Sequence, residues 1–349
     1  MPEESRNRGV RELRRTWRRA DTPKAAPIDS SIVDAAPRKP RVALIVNPYS
    51  SGMTGKRERE IVLELRQHAD VELLRTERPG HASDLAKTAM FEGVDVIIAC
   101  GGDGTGNEVL SGVELDNESA ERLPAFALIP AGGTNVLCRS LELPNHPIAA
   151  VRKLAPALAD LSGRTRIINL GRVDERIFMF SAGVGFDGEV VKRIDAKRRG
   201  RRPSDFSHLV TIVGMFASER WAYKDSMTLT IPESNEELRA SLLMVGNTSP
   251  MSYVGRMALN FMPECTLEGG LDFLAPTRTT AYAAIRNSAR AMGMGRKGRE
   301  RAEMQPHHDI DSFTVVCDEA QPVQVDGEYL GDRTHIQFSL VRNCIKLVV

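Results

Sequence analysis

Two stretches, far apart in the 349-residue chain, carry residue types at spacings suited to chemistry. Residues 94–110 read VDVIIACGGDGTGNEVL, an uncharged β-branched run that ends in Gly101, Gly102, Asp103, Gly104 and Thr105. Glycines at the tip of a buried strand let the backbone turn tightly and let a phosphate approach its N–H groups. Asp103 sets a carboxylate where the metal or hydroxyls of a nucleotide can use it. The second stretch, QVDGEYLG (324–331), places Asp326 and Glu328 on either side of Gly327. It reads equally as an Asp-Gly hairpin turn or as a carboxylate able to accept a hydroxyl proton, with a second one for metal or nucleotide.

Three more loops follow strand-like runs. Asn47, Pro48, Tyr49, Ser50, Ser51 and Gly52 offer an amide, hydroxyls and a glycine after the first run. Residues 76–82 (TERPGHA) follow another, and residues 129–135 (IPAGGTN) follow a third. Each taken singly is a turn. Recurring at successive strand ends of one parallel sheet, they share an edge and can meet at one nucleotide.

The elements that must position these loops are legible as periodicity. Strands are expected over 42–46, 71–75, 96–99 and 125–129, with helices over 56–68, 81–91, 138–141 and 147–155 and another starting at Asn107. That alternation predicts a doubly wound α/β sheet. From about residue 165 the texture changes to short strand-like runs over 167–173, 177–182, 227–231, 240–247, 271–275, 312–316, 323–325, 335–340 and 344–349. These suggest a β-sandwich or meander, interrupted by helical insertions near 203–221 and 279–294. Residues 1–40 form a separate segment with four prolines in its second half and seven arginines over 6–19. It reads either as an interfacial amphipathic helix carrying Val10, Leu13 and Trp17 or as a basic tail.

Composition is that of a globular chain with a sizeable core: 42% apolar, 27% charged and a net charge of +1. A near-zero balance carries no bulk nucleic-acid signature. Five scattered cysteines without a CxxC pair read as reduced thiols in a cytosolic setting. The chain lacks an 18-residue apolar run, and its Arg-rich beginning lacks the apolar core of a secretory signal.

The set NPYSSG, GGDGTGNEV, PAGGTN, SAGVGFDGEV (181–190), GNTSP (246–250) and VDGEYLG resembles the diacylglycerol kinase catalytic family and, more distantly, sphingosine and ceramide kinases. GGDGT also occurs in NAD kinases and phosphofructokinases, which the GVGFD, GNTSP and DGE blocks do not fit. The resemblance covers about 41–349. It implies a basic tail over 1–40, a three-layer α/β nucleotide domain over 41–165 and a β-sandwich lipid domain over 166–349, the last strands packing back on the first domain.

The implied activity is ATP- and Mg²⁺-dependent phosphorylation of a lipid hydroxyl, diacylglycerol to phosphatidic acid, with a sphingoid base as the alternative acceptor. A catalytically weak membrane-associated homologue is the reading from another class. The resemblance maps ATP contacts to Asn47, Pro48, Ser50, Ser51, Gly52, Thr76, Gly101, Gly102, Asp103, Gly104, Thr105, Asn107 and Glu328. The third loop departs from the family pattern, placing Gly133 and Thr134 where a threonine and its successor belong. Asp326 is implied as general base and Asp103 as acting through the metal–water network, with Asp103 the base in the sphingosine branch. A structural Mg²⁺ is implied at Glu268 with the carbonyls of Cys265 and Gly270.

A lipid substrate calls for a membrane surface. The cluster over 192–202 holds seven cations and one acid, and Arg278, Arg286, Arg290, Arg296, Lys297, Arg299 and Arg301 form a second. Either is expected to hold the protein peripherally on anionic lipid, unless it is simply a solvated loop. Residues 209–216 are expected either to admit acyl chains or to be core. The family often dimerises, so a homodimer is a further expectation.

Overall fold

Four short apolar runs form parallel strands: β1 (Arg41–Val46), β2 (Asp70–Arg75), β3 (Val96–Gly101) and β4 (Ala125–Pro130). In β3 and β4 every residue is buried, as strands covered on both faces require. Strand β2 lies at the edge and is only partly buried. This computed structural model describes residues 38–349 apart from 114, 116, 117, 198–221, 224 and 294–303.

Between the strands run α1 (Gly55–Arg66), α2 (His81–Phe91), α3 (Asp103–Ser111), α4 (Val136–Ser140) and α5 (Pro147–Leu154). Helix α1 starts at Thr54, whose Oγ1 accepts from Arg57 N at 3.2 Å. The lateral order is β4-β3-β1-β2. Right-handed crossovers therefore put α1 on one face and α2 and α3 on the other, in keeping with the packing of α1 beside α5 and of α2 beside α3. The chain leaves β1 and β3 in opposite lateral directions, so a crevice opens between their carboxyl ends.

The second half supplies β5 (Thr165–Val173), β6 (Arg176–Phe178), β7 (Ser181–Val184), α6 (Phe186–Lys197), β8 (Met227–Ile231), β9 (Glu236–Ala240) and β10 (Leu243–Gly246). It continues with β11 (Leu271–Leu274), α7 (Ala281–Ala291), β12 (Pro306–Ile310), β13 (Ser312–Val325) and β14 (Glu328–Val348). The strands join one hydrogen-bonded path, β12-β11-β10-β7-β13-β14-β4-β3-β1-β2, with β5, β6, β8 and β9 attached to its side. The seam is β14, which pairs with β13 at its start and with β4 near its end, Leu347 opposite Phe126.

Two large cores flank that seam. One surrounds the parallel sheet and includes Ile345, Leu347 and Val348 from β14. The other is built on Phe178, Phe273, Phe313 and Phe338, with Phe313 and Phe338 stacked at 4.6 Å between centroids.

Several boundaries differ from the sequence reading. The run 177–182 is interrupted, because residues 179 and 180 leave the ladder between β6 and β7. The runs 312–316 and 323–325 belong to one strand, as do 335–340 and 344–349 up to Val348. Polar residues between them, such as Asp318 and Asn343, lie where the ladder shifts register. Helix α6 was not expected, since Gly188 and the charges of 192–197 blur its apolar period. The helix expected over 279–294 is α7. The tail over 1–37, the expected helix near 203–221 and the apolar run 209–216 lie outside the described residues. Among the described residues no helix is long and apolar enough to cross a membrane.

Candidate active site

The loops after all four parallel strands are tied to one another. Asn47, immediately after β1, donates its N–H to Cys100 O at 2.9 Å. Its Nδ2 reaches Thr105 Oγ1 at 3.2 Å, and its Oδ1 accepts from Tyr49 N at 3.0 Å. Gly52 N donates to Ala131 O at 2.8 Å, and Ala131 N to Gly101 O at 2.6 Å. A Cβ on Gly132 would lie 2.5 Å from Gly102 Cα, so these two loops touch backbone to backbone. Buried Thr76 follows β2 and donates its N–H to Val46 O at 2.9 Å. Its loop is anchored where Gly80 N meets Glu108 Oε2 at 3.1 Å.

The structure begins α3 at Asp103 rather than at Asn107, so the DGT of the glycine turn is the first helical turn. An aspartate there complements the helix dipole. Gly102, the N-cap, supplies no side-chain acceptor, which leaves the helix start open to an anion. Gly104 and Gly133 are exposed, as are Pro48 and Ser51, whereas Thr105 and Asn107 are buried. Ser50 Oγ and Asn107 Oδ1 are buried without a hydrogen-bond partner. Polar atoms so placed await a polar ligand.

Asp103 is half-buried and turns its carboxylate to the start of α4, accepting from Val136 N at 3.0 Å and Leu137 N at 3.4 Å. Burial pushes its pKa up to about 6; the N–H of Val136 opposes that, and the charge of Asp326 adds to it. The two carboxylates, 223 positions apart by number, thus share one gap.

Asp326 occupies the turn between β13 and β14 and reaches across to α3. Its Oδ2 accepts from Asn107 Nδ2 at 2.9 Å and from Met179 N at 2.7 Å. Its Oδ1 accepts from Phe180 N at 3.0 Å and Ser181 N at 3.1 Å. The interruption between β6 and β7 is what aims these three successive N–H groups at one carboxylate. Burial raises the pKa of Asp326, and the four donors pull against it. The amide of Asn107 also donates to Ile177 O at 2.9 Å, so it clamps both halves of the chain. Glu328 is exposed and pairs with Arg176 at 2.7 Å.

The residues suggested for a structural cation lie together in the loop 265–270. Glu268 Oε1 pairs with Arg166 at 3.2 Å. The carbonyls of Glu268 and Gly269 accept from Asn169 Nδ2 at 3.0 and 2.9 Å. The side chain of Cys265 is buried beside Met251 and Met262. The Glu268 carboxylate is thus shared with Arg166. Among the described residues there is no group of three or more His, Cys, Asp or Glu suited to a metal.

Two cations of the first basic cluster are spoken for: Lys192 pairs with Asp332 at 2.7 Å and Arg193 with Glu189 at 2.7 Å. All five cysteines are buried thiols outside any disulfide.

Sequence reasoning assigned no role to the 179–181 strap, Arg176, Glu108 or Gln324. The strap acts through backbone N–H groups, which no side-chain pattern reveals. Glu108 lay within the glycine motif, and the Asp-Gly turn next to Gln324 was the available signal for that residue.

The model of the diacylglycerol kinase catalytic domain matches residues 41–171. A diacylglycerol kinase of Staphylococcus aureus (strain JH9) is 34% identical over 303 residues, covering 83% of this chain and 87% of its own. A crystal structure from Bacillus anthracis str. Sterne superposes with a TM-score of 0.70 at 24% identity, over 90% of this chain and 97% of that one. Another from the same source, of a diacylglycerol kinase, gives 0.66 at 23% identity, over 88% and 96%. The fold, with its α/β half and strand-rich half, is shared with these structures, and at the identity and coverage found with the staphylococcal enzyme the chain belongs to the diacylglycerol kinase family of lipid kinases.

Proposed function

We propose that this protein transfers the γ-phosphoryl group of ATP to the free hydroxyl of diacylglycerol, producing phosphatidic acid, in a Mg²⁺-dependent reaction. The observation that carries this reading is the contact between Asp326 and Asn107, which brings a carboxylate from the distal hairpin onto the helix that starts at the glycine turn. The triphosphate lies at the open start of α3, against the backbone of 101–105, with Ser50, Asn47 and Thr76 lining the neighbouring loops. A bare carboxylate in that first turn would repel phosphate. Asp103 would be the residue to hold a Mg²⁺, its oxygens being hard donors of the kind that ion prefers. When bound, the ion neutralises charge on the transferring phosphoryl group.

Asp326 accepts the proton of the lipid hydroxyl, because an alcohol is almost un-ionised at neutral pH. Both its oxygens already accept two hydrogen bonds, so proton uptake requires release of one. The Asn107 amide is the side-chain donor among the four. Glu328, beside Arg176, faces the nucleotide from the hairpin side.

The test is transfer of label from γ-labelled ATP to mixed micelles of diacylglycerol, sphingosine or ceramide. Diacylglycerol should be labelled preferentially, and Asp326→Asn should lower kcat by about 10²–10⁴-fold, the contribution of a positioned base. Equal turnover by that variant removes the base assignment, and no labelled lipid in any arm removes the kinase assignment.

A further inference from the structure

The hairpin that carries Asp326 is held by a hydrogen-bonded chain outside the groups just named. Val325 pairs with Glu328, and the two residues between them both have positive φ, 47° for Asp326 and 80° for Gly327. Such a two-residue turn needs glycine or a short polar residue at each position. The N–H of Gly327 donates to Gln324 Oε1 at 2.9 Å. The same Gln324 donates from Nε2 to Asp187 Oδ2 at 2.6 Å. Gln324 is 3% exposed, and its strand neighbour on β7 is Gly183. Asp187 lies in the first turn of α6, and its carboxylate rests over Gly183, where any Cβ would collide with Oδ2. Gly183 and Asp187 thus fit each other, within the GVGFD block that had no assigned role.

We propose that Asp187 is a positioning residue, which acts through Gln324 to fix the Asp326–Gly327 turn and so aims the Asp326 carboxylate at the strap of 179–181 and at Asn107. The geometry is directional. A carboxylate can only accept, so it orients the Gln324 amide with its nitrogen toward α6 and its oxygen toward Gly327. Asp187 itself is half-buried, and burial raises its pKa while the Gln324 amide opposes that rise. The requirement at this position is for an acceptor, not for a charge.

This inference rests on Asp326 as the base, and the experiment separates the two. Four variants are compared in the micelle assay across pH, with near-UV circular dichroism as a check of folding: Asp326→Asn, Asp187→Ala, Asp187→Asn and Gln324→Met. Misplacing a catalytic group by about an ångström costs on the order of 10²-fold, so Asp187→Ala and Gln324→Met should lose about that much in kcat. KM for diacylglycerol should stay near the wild-type value. Asp187→Asn keeps an acceptor oxygen and should recover activity to within about threefold of wild type on the same reasoning.

In Asp187→Ala the acid limb of the kcat profile should also move to higher pH, because Asp326 loses N–H donors while still facing Asp103. Gln324→Met carries the test should Asp187→Ala fail to fold. Wild-type kcat in Asp187→Ala or Gln324→Met overturns the inference, as does an Asp187→Asn variant no better than Asp187→Ala. Full activity in Asp326→Asn overturns the base assignment instead.

Discussion

Asp103 and Asp326 each set a half-buried carboxylate against hydrogen-bond donors, and in both burial outweighs the donors and raises the pKa. For Asp103 burial wins, which places its ionisation at about pH 6. If the ionised form is needed to hold Mg²⁺, activity should rise with pH and level off above about pH 6. Asp103→Asn should remove most activity, and any residue of it should lack that inflection, as read from activity against pH at limiting Mg²⁺. The stability consequence has the opposite sense. A carboxylate whose folded pKa exceeds its ordinary value of 3.8 stabilises the fold when protonated, and that contribution is lost as pH rises through about 6. Urea midpoints measured between pH 4 and pH 7 should therefore fall less steeply for Asp103→Asn than for wild type.

At the scale of elements, the site is a set of loop contacts made through backbone atoms. Gly132 shows the constraint most sharply: a Cβ there would meet Gly102 Cα at 2.5 Å and Asn135 Oδ1 at 2.8 Å. The nearer of the two is backbone, which cannot swing aside as a side-chain tip can. Gly132→Ala should cost about 1–3 kcal/mol by overpacking, measured by urea unfolding, and should raise KM for ATP by displacing the glycine turn. An unchanged midpoint and an unchanged KM would refute this close approach. The strands β1, β3 and β4 and the helix 81–91 were readable because period and punctuation agree there. The start of α3 was misjudged because glycines mask the helical pattern that Asp103 and the dipole support. Helix α6 escaped for a related reason, its charged residues obscuring a modest apolar face.

Across the whole molecule, β14 is the member that unites the two halves: its first residue is Glu328 and its last turns of ladder join β4. Docking at a membrane belongs to this scale too. Lys192 and Arg193 are engaged within the protein, and Arg286 and Arg290 of the second cluster have partners of their own, so the proposed docking rests on the cations of 198–202 and 296–301, outside the described residues. Replacing Arg296, Lys297, Arg299 and Arg301 by glutamine should weaken binding to phosphatidylglycerol vesicles on the order of 10³-fold, at about 1 kcal/mol per cation. Cosedimentation at low salt reads this, and unaltered binding would assign the contact elsewhere.

The order of strands and helices in the first half, the glycine turn at a strand tip and the two acidic motifs follow from residue type and spacing alone, because those signals are local. What brings Asp326 to Asn107 is not local: a ladder between residues far apart in the chain, a backbone interruption at 179–180 and a buried amide at 324 decide it. Pattern cannot show which carboxylate meets which helix, since the donors that select the position are N–H groups every residue possesses.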